Sequence, residues 1–486
     1  MSNTTQRRKR GSSSPHAFTV SNPNTHIQDH DDSHKETLVV KPFIQENFIE
    51  ALYKPHTVTI LLILITSIIY FSFIKDDVSQ STEATTKRGL VAVIVVFLVY
   101  CGVQFRDGII IRPHPAVWRV VTGVGLIYLL VLVFFCFQSR DDARRYLAHL
   151  YPELGKPLPE RSYGDSCDIY TPNHPESNFA NLRDTLLDEF IIAHVFGYVA
   201  KAIIFRDMKL CWLLSLFFEI MEITLQHWLE NFKECWWDHL IIDVLVCNNL
   251  GIVFGLYLCD FLRLKKYPLW IGVDEIPTTR GKVVRILQQF TPFSWTSYNW
   301  RMFENPRRFA YSIGIVLAMN IVDLNAFFLK YILWVPPRNP LNTYRLLLWF
   351  FVGMPAVREY YQFASDDHCK RLGNNIWLAI AIVCMELLLV FKYSTGLFHQ
   401  SFPNHIWFPW LISGVFFVLW FVGFFYVADK NTRENNRWWR WVLNALLTMC
   451  VVPLVVMFFL ACPDIRWMQT EFDSGVDAML CRFGRC

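Results

Sequence analysis

Residues 193–251 read AHVFGYVAKAIIFRDMKLCWLLSLFFEIMEITLQHWLENFKECWWDHLIIDVLVCNNLG. This stretch places acidic, amide and histidine side chains within or between apolar runs that could lie in a lipid bilayer. Glu219, Glu222 and Asp243 lie inside the runs, and Glu234 and Asp238 lie in the short connection between two of them. Each ionisable residue at the centre of a bilayer costs about 2.5–3.5 kcal/mol on insertion scales. We therefore expect an intramembrane site for a cation, a polar substrate or both.

The rest of the chain has the composition of a polytopic membrane protein. Of its 486 residues, 53% are hydrophobic, and several uncharged runs approach the roughly 20 residues that span a bilayer. Only helices suit runs of this length, because the alternation of barrel strands is missing. The formal net charge of +4 is spread along the chain and does not indicate nucleic-acid binding. The predicted fold class is an all-α polytopic membrane protein with a bundle of about ten transmembrane helices.

The apolar runs divide the chain into three parts. Residues 1–50 are polar and contain the basic cluster Arg7–Arg10, which predicts a disordered tail on the cytosolic side. Residues 51–462 form the predicted multi-pass catalytic domain, and residues 463–486 form a short C-terminal tail. The candidate spans lie at residues 56–74, 89–105, 119–137, 189–205, 210–226, 239–262, 308–333, 344–362, 376–395, 406–427 and 438–461.

The thirteen cysteines indicate buried thiols rather than a disulfide framework or a zinc site. Their number is odd, and no CxxC pair occurs. We expect Cys235, beside Trp236, to be a packing residue. Several of the others lie in apolar runs, namely Cys136, Cys211, Cys247, Cys259 and Cys384.

Helical spacing brings the polar residues of the central stretch onto shared faces. Residues three apart on a helix project about 60° apart, so Glu219 and Glu222 share a face. His239 and Asp243 share a face of the next helix at i, i+4 spacing. Asn248 lies about 140° from Asp243 on an ideal helix. It joins the same pocket only if the helix is distorted, which we expect at or just after Asn248.

These donor atoms favour a hard cation and phosphoryl chemistry. Carboxylates with amide carbonyls and no thiolate cluster suit Ca²⁺ or Mg²⁺ rather than Zn²⁺. About five or six protein oxygens favour Ca²⁺, because Mg²⁺ usually keeps more of its waters. His194 lies on the preceding helix near Gly197, which we expect to allow close helix approach. A cation that neutralises a phosphodiester, with a histidine that takes a proton from an attacking hydroxyl, indicates phosphoryl or phosphatidyl transfer.

Three alternatives stand beside this hypothesis. The carboxylates could be structural and paired with Lys201, Arg206 or His227 across helices. The same acids could belong to an ion or lipid transporter, although transporters often consist of repeated halves and no repeat is visible. The third alternative is a CDP-dependent enzyme. Asp107–Arg112 resembles the start of the CDP-alcohol phosphotransferase motif, but Ile111 replaces its alanine and its downstream aspartates are missing.

Longer motifs along the chain resemble a known family. They are TKRG at Thr86–Gly89, RPHPAVWR at Arg112–Arg119, AHVFGY at Ala193–Tyr198, NFKECWWDHLIIDVLVCN at Asn231–Asn248 and QFTPFSW at Gln289–Trp295. They look like motifs of the eukaryotic phosphatidylserine synthases, the base-exchange enzymes of the endoplasmic reticulum. The resemblance extends over residues 50–430. The PERSYGDSC and FRDGIIIRPHP stretches look closer to the type 2 enzyme, which takes phosphatidylethanolamine, than to the type 1 enzyme, which takes phosphatidylcholine.

This resemblance implies the roles of the site residues. His194 would be the general base for the serine hydroxyl, and the other activity-critical residues of the family match positions in the central stretch. The predicted catalytic residues are His194, Glu219, Glu222, Asn231 and Asp238. The predicted metal ligands are Glu222, Glu234, Asp238, Asp243 and Asn248. Residues linked to regulation or lipid-headgroup binding match Arg112, Arg285 and Gln289, for which simple phosphate anchoring at the interface is the alternative.

The resemblance also implies Ca²⁺ as the cofactor, with no nucleotide. The implied substrates are L-serine and an existing phospholipid, either phosphatidylethanolamine or phosphatidylcholine. The predicted location is the endoplasmic reticulum membrane, with multiple spans. We also predict a homodimer and no nucleic-acid partner.

Overall fold

The structure of this chain is a computed structural model. The predicted N-terminal tail, residues 1–50, lies outside the described residues. The described residues are 57–71, 82–108, 110, 114–158, 167–172, 177–187, 189–263, 278–281, 283, 298–366, 368–399, 401–427, 436–461 and 470–477.

Within these ranges the chain is helical and contains no strand, which confirms the predicted fold class. A π-helix over Asp238–Asn248 and a 3₁₀ turn over Glu230–Phe232 flank the connection that carries Glu234. The α-helices are α1 (Thr57–Ile69), α2 (Thr82–Gln104), α3 (Pro115–Cys136), α4 (Arg140–Leu150), α5 (Ala180–Leu186), α6 (Glu189–Phe205), α7 (Met208–Leu225), α8 (Asn249–Arg263), α9 (Pro306–Ile332), α10 (Pro340–Ser365), α11 (Asn374–Tyr393), α12 (Asn404–Val422) and α13 (Arg437–Ala461).

Seven helical segments of the described part are long and apolar enough to cross a membrane. The expected count of about ten spans is therefore not confirmed. Helix α6 has only 17 residues. Helix α7 has 18 residues but carries three charged side chains, Lys209, Glu219 and Glu222, so both helices fall outside this set. The seven segments are Thr86–Gln104, Pro115–Cys136, Asp238–Phe261, Pro306–Ile332, Asn374–Tyr393, Asn404–Val427 and Arg437–Ala461.

A polar cap followed by proline fixes the start of three long helices. The side chains of His114, Asn305 and Asn339 each accept a hydrogen bond from a backbone N–H two or three residues further on. Proline occupies the first helical position in α3, α9 and α10. A side-chain acceptor satisfies an otherwise unpaired N–H, and proline has no N–H to leave unpaired there. The sequence itself therefore sets these helix starts.

Contacts among the connecting segments and the helix ends show which helix ends lie together on each of the two faces of the bundle. The site face holds the C-terminal ends of α3, α7, α9, α11 and α13, and the opposite face holds the start of α7 and the ends of α6 and α10. On the site face the linking contacts are Arg144 with Ile332, Asn339 with Glu153, Lys392 with Cys136, Gln226 with Ala461, and Trp228 with Phe398 and Phe402. On the opposite face they are Trp300 with Phe205, Asn299 with Tyr361, and Thr122 with Asn375.

A buried ion pair ties three of these helices together in the bundle core. Arg345 on α10 donates to both carboxylate oxygens of Glu386 on α11, at 3.0 and 2.6 Å. Tyr128 on α3 donates to the same carboxylate at 2.6 Å. Glu386 is completely buried, and these donors compensate its charge.

Glycines allow α6 and α8 to pack closely. A Cβ atom on Gly251 would lie 2.5 Å from the carbonyl oxygen of Val195, and one on Gly255 would lie 2.7 Å from the Cβ of Ala202. These two glycines have the GxxxG spacing that permits close approach of membrane helices. The expectation that Gly197 plays this part is wrong, since a Cβ there would meet nothing within 4 Å. Gly197 lies on α6, but a Cβ atom there would not contact α8.

The expectation of thiols without disulfides is wrong at one pair. Cys167 and Cys235 form a disulfide across a sequence separation of 68 residues. Trp237 donates from its indole N–H to the backbone carbonyl of Cys167 at 3.1 Å. Such a distant pairing leaves no local spacing signal, which is why cysteine counting did not indicate it. Among the other cysteines, Cys211, Cys247 and Cys259 are buried free thiols, as expected, whereas Cys136 is half-buried and Cys384 is exposed.

The glycine crossing generates a stability prediction. Gly255→Ala should destabilise the protein by about 1–3 kcal/mol, because the added methyl meets α6 backbone atoms that cannot move aside. Gly197→Ala is the matched control, and it should be neutral or stabilising by up to about 1 kcal/mol through helix propensity. Thermal unfolding of both purified variants in the same detergent checks this. Equal midpoints for the two variants would contradict the assigned crossing.

Candidate active site and metal centre

The C-terminal part of α7 presents two buried carboxylates to the bundle interior. Asp207 caps the start of this helix by accepting from the N–H of Leu210 at 3.0 Å. Glu219 and Glu222 lie one turn apart near its other end, and each is only 3% exposed. The prediction that they share one face is confirmed, since both carboxylates approach the same imidazole, His239.

The π-helix brings three polar positions into line. In a π-helix each N–H bonds to the carbonyl five residues earlier, so residues five apart lie near one another on one face. Asp238, Asp243 and Asn248 have this spacing, and all three are buried. An α-helix would separate each neighbouring pair by about 140°. A helix distortion is present, as predicted, but its position differs: it lies over Asp238–Asn248, whereas the residues just after Asn248 form a regular α-helix.

His239 is the centre of the carboxylate cluster. Its Nδ1 lies 2.9 Å from a Glu219 oxygen, 3.5 Å from a Glu234 oxygen and 3.7 Å from a Glu222 oxygen. One ring nitrogen carries at most one proton, so it can donate a good hydrogen bond only to the nearest carboxylate. Among the described residues, the buried Glu222 Oε2 atom has no hydrogen-bond partner. The cluster therefore holds more negative charge than one imidazole can compensate.

A second histidine, His194 on α6, lies beside this cluster. Its Nδ1 is 3.2 Å from Asn248 Oδ1 and 3.8 Å from Asp243 Oδ1. The Asn248 amide group donates to Ser215 Oγ at 2.9 Å and approaches Glu219 at 3.5 Å. Its carbonyl therefore faces His194, so His194 Nδ1 carries the proton and donates it. The other ring nitrogen, Nε2, is left to accept a proton.

The candidate ligand atoms form three overlapping groups. Within each group the atoms lie no more than 4.8 Å apart. Carboxylate oxygens are in the majority, and no thiolate takes part, which is the donor chemistry that hard cations such as Ca²⁺ prefer. The groups are His194 with Glu219 and Asp243, Glu219 with Glu222 and His239, and Glu234 with His239 and Asp243.

Not every predicted site residue joins these groups. Asp238 is buried at the start of the π-helix but belongs to none of the three. Asn231 lies in the 3₁₀ turn and is half-buried. The proposed headgroup-binding residues Arg112, Arg285 and Gln289 lie outside the described residues.

Two residues of the site had no assigned role in the sequence prediction. His239 shares a face with Asp243, and that i, i+4 spacing was the available signal. Ser215 lies one turn before Glu219 on α7 and is completely buried. A lone serine in an apolar run carries no distinguishing pattern, so only the structure identifies it as the partner that orients Asn248.

The structural-pairing alternative does not hold for the residues it named. Lys201 pairs with Asp323 on α9 at 2.8 Å, outside the carboxylate cluster. Arg206, directly after α6, donates to the carbonyl of Ile203. Among the described residues, no carboxylate of the cluster pairs with His227. Within the part of the chain that the structure describes, the three glutamates approach the ring of His239, and Asp243 approaches that of His194.

Glu234 lies at the edge of the carboxylate cluster, in the connection between α7 and the π-helix, and two contacts fix the residues that follow it. The disulfide holds Cys235, and the indole hydrogen bond holds Trp237. Burial raises the pKa of the Glu234 carboxyl well above its usual range, and the neighbouring charges of Glu222 and Asp243 raise it further. Its side chain keeps 22% exposure, whereas Glu219 and Glu222 keep 4% each. Of these three glutamates, Glu234 is therefore the most exposed.

Comparison with known proteins gives one consistent family. The family model for phosphatidyl serine synthase matches residues 113–394. A rice protein named CDP-diacylglycerol–serine O-phosphatidyltransferase 2 is 45% identical over 76% of this chain and 88% of its own length. Human phosphatidylserine synthase 2 is 42% identical over 80% of each chain, and a Drosophila phosphatidylserine synthase is 36% identical over 72% of this chain and 68% of its own.

Proposed function

The chain belongs to the phosphatidyl serine synthase family, and we propose that its buried carboxylate site exchanges L-serine for the headgroup of an existing phospholipid with the help of Ca²⁺. It is a multi-pass membrane enzyme that makes phosphatidylserine, so its substrates are a phospholipid and serine. A transporter function is not favoured, because its relatives carry the names of a phosphatidyltransferase and a synthase.

The uncompensated charge around His239 is the observation that supports Ca²⁺. Three carboxylates face one ring nitrogen, and the buried Glu222 Oε2 has no hydrogen-bond partner. A divalent cation with oxygen ligands would satisfy both the charge and the orphaned atom. The residues suited to hold it are Glu219, Glu222, Glu234, Asp243 and Asn248. Once bound, Ca²⁺ supplies positive charge that offsets the phosphate and polarises its phosphorus.

The proton chemistry belongs to His194. Because Nδ1 donates to Asn248, Nε2 can accept the proton of the serine hydroxyl as its oxygen attacks phosphorus. The phosphorus–oxygen bond to serine forms, and the bond to the old headgroup alcohol breaks. The proton held by His194 then passes to the departing alcohol oxygen, so the exchange consumes no net proton and needs no nucleotide. Ser215 acts indirectly, by fixing the Asn248 amide.

A second candidate is transfer of the phosphatidyl group from CDP-diacylglycerol, which the names of the plant relatives give for those proteins. Against it, Asp107, in the stretch that resembles a CDP-alcohol phosphotransferase motif, pairs with Arg119 at 2.6 Å. That pair fixes the start of α3 against the end of α2, which is a structural role. We therefore favour an existing phospholipid as the donor.

The remaining assignments rest on the family resemblance. Phosphatidylethanolamine is the expected donor, since its primary ammonium can donate hydrogen bonds that a trimethylammonium cannot. We propose the endoplasmic reticulum as the membrane and a homodimer as the assembly. Arg112, Arg285 and Gln289 are proposed to bind an anionic lipid headgroup, because guanidinium groups suit phosphate and carboxylate.

Purified protein with labelled serine tests the donor directly. In Ca²⁺ without nucleotide, liposomes of phosphatidylethanolamine should give labelled phosphatidylserine about 10- to 100-fold faster than phosphatidylcholine, the usual yield of one unmatched polar contact. Equal or faster release of choline would show that the donor assignment is wrong. Incorporation that requires CDP-diacylglycerol would overturn base exchange itself.

The metal requirement should depend on both cation and pH. Excess EGTA should abolish turnover, and Mg²⁺ should restore it poorly because it dehydrates reluctantly. Since the pKa of Glu234 is raised, protons compete with the cation as pH falls. The Ca²⁺ concentration for half-maximal rate should therefore increase as pH decreases, beginning above the ordinary glutamate pKa of about 4.3. Full turnover in EGTA without divalent ions would contradict the role of the metal.

His194→Ala should lose most of the rate while keeping the fold. A general base contributes about 10²–10⁴-fold. Among the described residues, the His194 ring makes its polar contacts with Asn248 and Asp243. His149→Ala, at an exposed position on α4, is the matched control and should keep the wild-type rate. Near wild-type turnover by a folded His194→Ala protein would remove the base assignment.

A further inference from the structure

We propose that Lys201, Tyr198 and Asp323 form the receptor for the amino-acid part of free serine, next to the histidine that takes its hydroxyl proton. The serine carboxylate binds Lys201 and the Tyr198 hydroxyl, and the serine ammonium group binds Asp323. The identity of the ligand rests on the proposed function. Serine is a zwitterion, and a pair of opposite charges is the chemistry that recognises such a molecule.

Lys201 and Tyr198 continue the face of α6 that carries His194. Residues 194, 198 and 201 have i, i+4, i+7 spacing, so they lie in one row along the helix. Long side chains on a helix turn back towards its N-terminus, and the Lys201 Nζ atom lies 4.2 Å from the centre of the Tyr198 ring. The Lys201 ammonium group is therefore displaced towards His194. Asp323 on α9 meets this group at 2.8 Å.

The Tyr198 hydroxyl is the observation that points to a ligand. Tyr198 is 2% exposed, and its Oη atom has no hydrogen-bond partner among the described residues. A buried hydroxyl normally has a partner, because leaving it unpaired costs free energy. The charges of Lys201, Glu219 and Asp323 act on this hydroxyl, so it lies within reach of both the ion pair and the carboxylate cluster. A carboxylate bound to Lys201 would accept the hydrogen bond that Tyr198 can donate.

A second ion pair shows how this bundle builds a purely structural one. Arg345 donates twice to Glu386, and Tyr128 donates to the same carboxylate, which is completely buried. The pair of Lys201 and Asp323 has one contact, and its side chains keep 13% and 20% exposure. Here the adjacent tyrosine does not donate to the carboxylate. Both charged groups therefore keep capacity for a further partner.

Serine suits this capacity and the position of the base. Lys201 has three N–H donors and Asp323 has several acceptor lone pairs, so each can hold a group of serine while the two remain paired. The serine hydroxyl then extends along α6 towards His194, on which both charges act. Three fixed contacts around the serine α-carbon select L-serine over D-serine. Ethanolamine and choline lack the carboxylate, so the receptor favours serine over the released alcohol.

Two tyrosine variants test the receptor in opposite directions. Tyr198→Phe removes a hydroxyl that bonds to no described residue, so the thermal midpoint should stay unchanged. The KM for serine should rise about tenfold with little change in kcat, since a hydrogen bond to a charged group is lost. Tyr128→Phe is the matched control, and it should lower the midpoint and leave the KM for serine unchanged. An unchanged KM in Tyr198→Phe would overturn the proposal.

Replacing the ion pair by apolar residues separates binding from folding. Removing both charges together leaves no uncompensated charge in the bundle, so a double variant, Lys201→Met with Asp323→Leu, should remain folded. Its kcat/KM for serine should fall at least about 100-fold, because two charge-assisted contacts are lost. Its preference for L- over D-serine should disappear.

The matched control removes an ion pair at the start of the same helix, α9. Arg308 and Glu304 lie 2.6 Å apart there, and Arg308→Gln with Glu304→Gln should keep the wild-type kcat/KM and stereochemical preference. Wild-type kinetics in the folded double variant of Lys201 and Asp323 would show that this pair is structural and would overturn the proposal.

Thermal stabilisation by ligands, in Ca²⁺ without lipid, separates the receptor from the exchange function. L-Serine should raise the wild-type midpoint more than ethanolamine or 3-hydroxypropionate, which each carry one of the two charges. The double variant should show no shift, and absence of a serine shift in the wild type would overturn the receptor. If the expected shifts occur but phospholipids yield no phosphatidylserine, the exchange function fails and the receptor stands. If phosphatidylserine forms but serine shifts both proteins equally, the receptor is wrong and the exchange function stands.

Discussion

The charge imbalance around His239 is the constraint on which the rest of the site depends. Three glutamates approach one ring nitrogen, and one buried oxygen among them has no hydrogen-bond donor. The same bundle compensates another buried acid fully, since Glu386 receives Arg345 and Tyr128. The contrast shows that this chain can neutralise a membrane-buried carboxylate where the fold requires it. At the cluster, the Ca²⁺ that we propose would supply this compensation.

The surrounding structure fixes the positions of the site residues. The π-helix aligns Asp243 with Asn248, and Ser215 turns the Asn248 amide so that its carbonyl meets His194. Close packing at Gly251 and Gly255 brings α8 and the π-helix against α6, which carries His194. The disulfide tethers the connection beside Glu234. Each element fixes a position within a crowded set of like charges, which would otherwise move apart.

Much of this arrangement could be predicted from the sequence, because its signals are local. Acids within apolar runs mark the site, and i, i+3 spacing places Glu219 with Glu222 on one face. The π-helix was predictable only as a need for distortion near Asn248, since its extent depends on tertiary packing. The Cys167–Cys235 pair and the Ser215–Asn248 hydrogen bond join distant positions and leave no local pattern. The GxxxG spacing of Gly251 and Gly255 is visible in the sequence, and these two glycines, rather than Gly197, allow the close helix packing.

Direct Ca²⁺ binding to the purified protein, measured at equilibrium without any substrate, tests the central claim. Glu222→Gln removes the charge of the orphaned carboxylate, and Glu230→Gln is the control in the neighbouring connection, where Glu230 is partly exposed and pairs with Lys233 at 2.7 Å. Wild-type protein and Glu230→Gln should bind Ca²⁺ alike, and Glu222→Gln should bind at least about tenfold more weakly, roughly 1.4 kcal/mol. Unchanged affinity in a folded Glu222→Gln protein, or no binding by the wild type, would contradict the account.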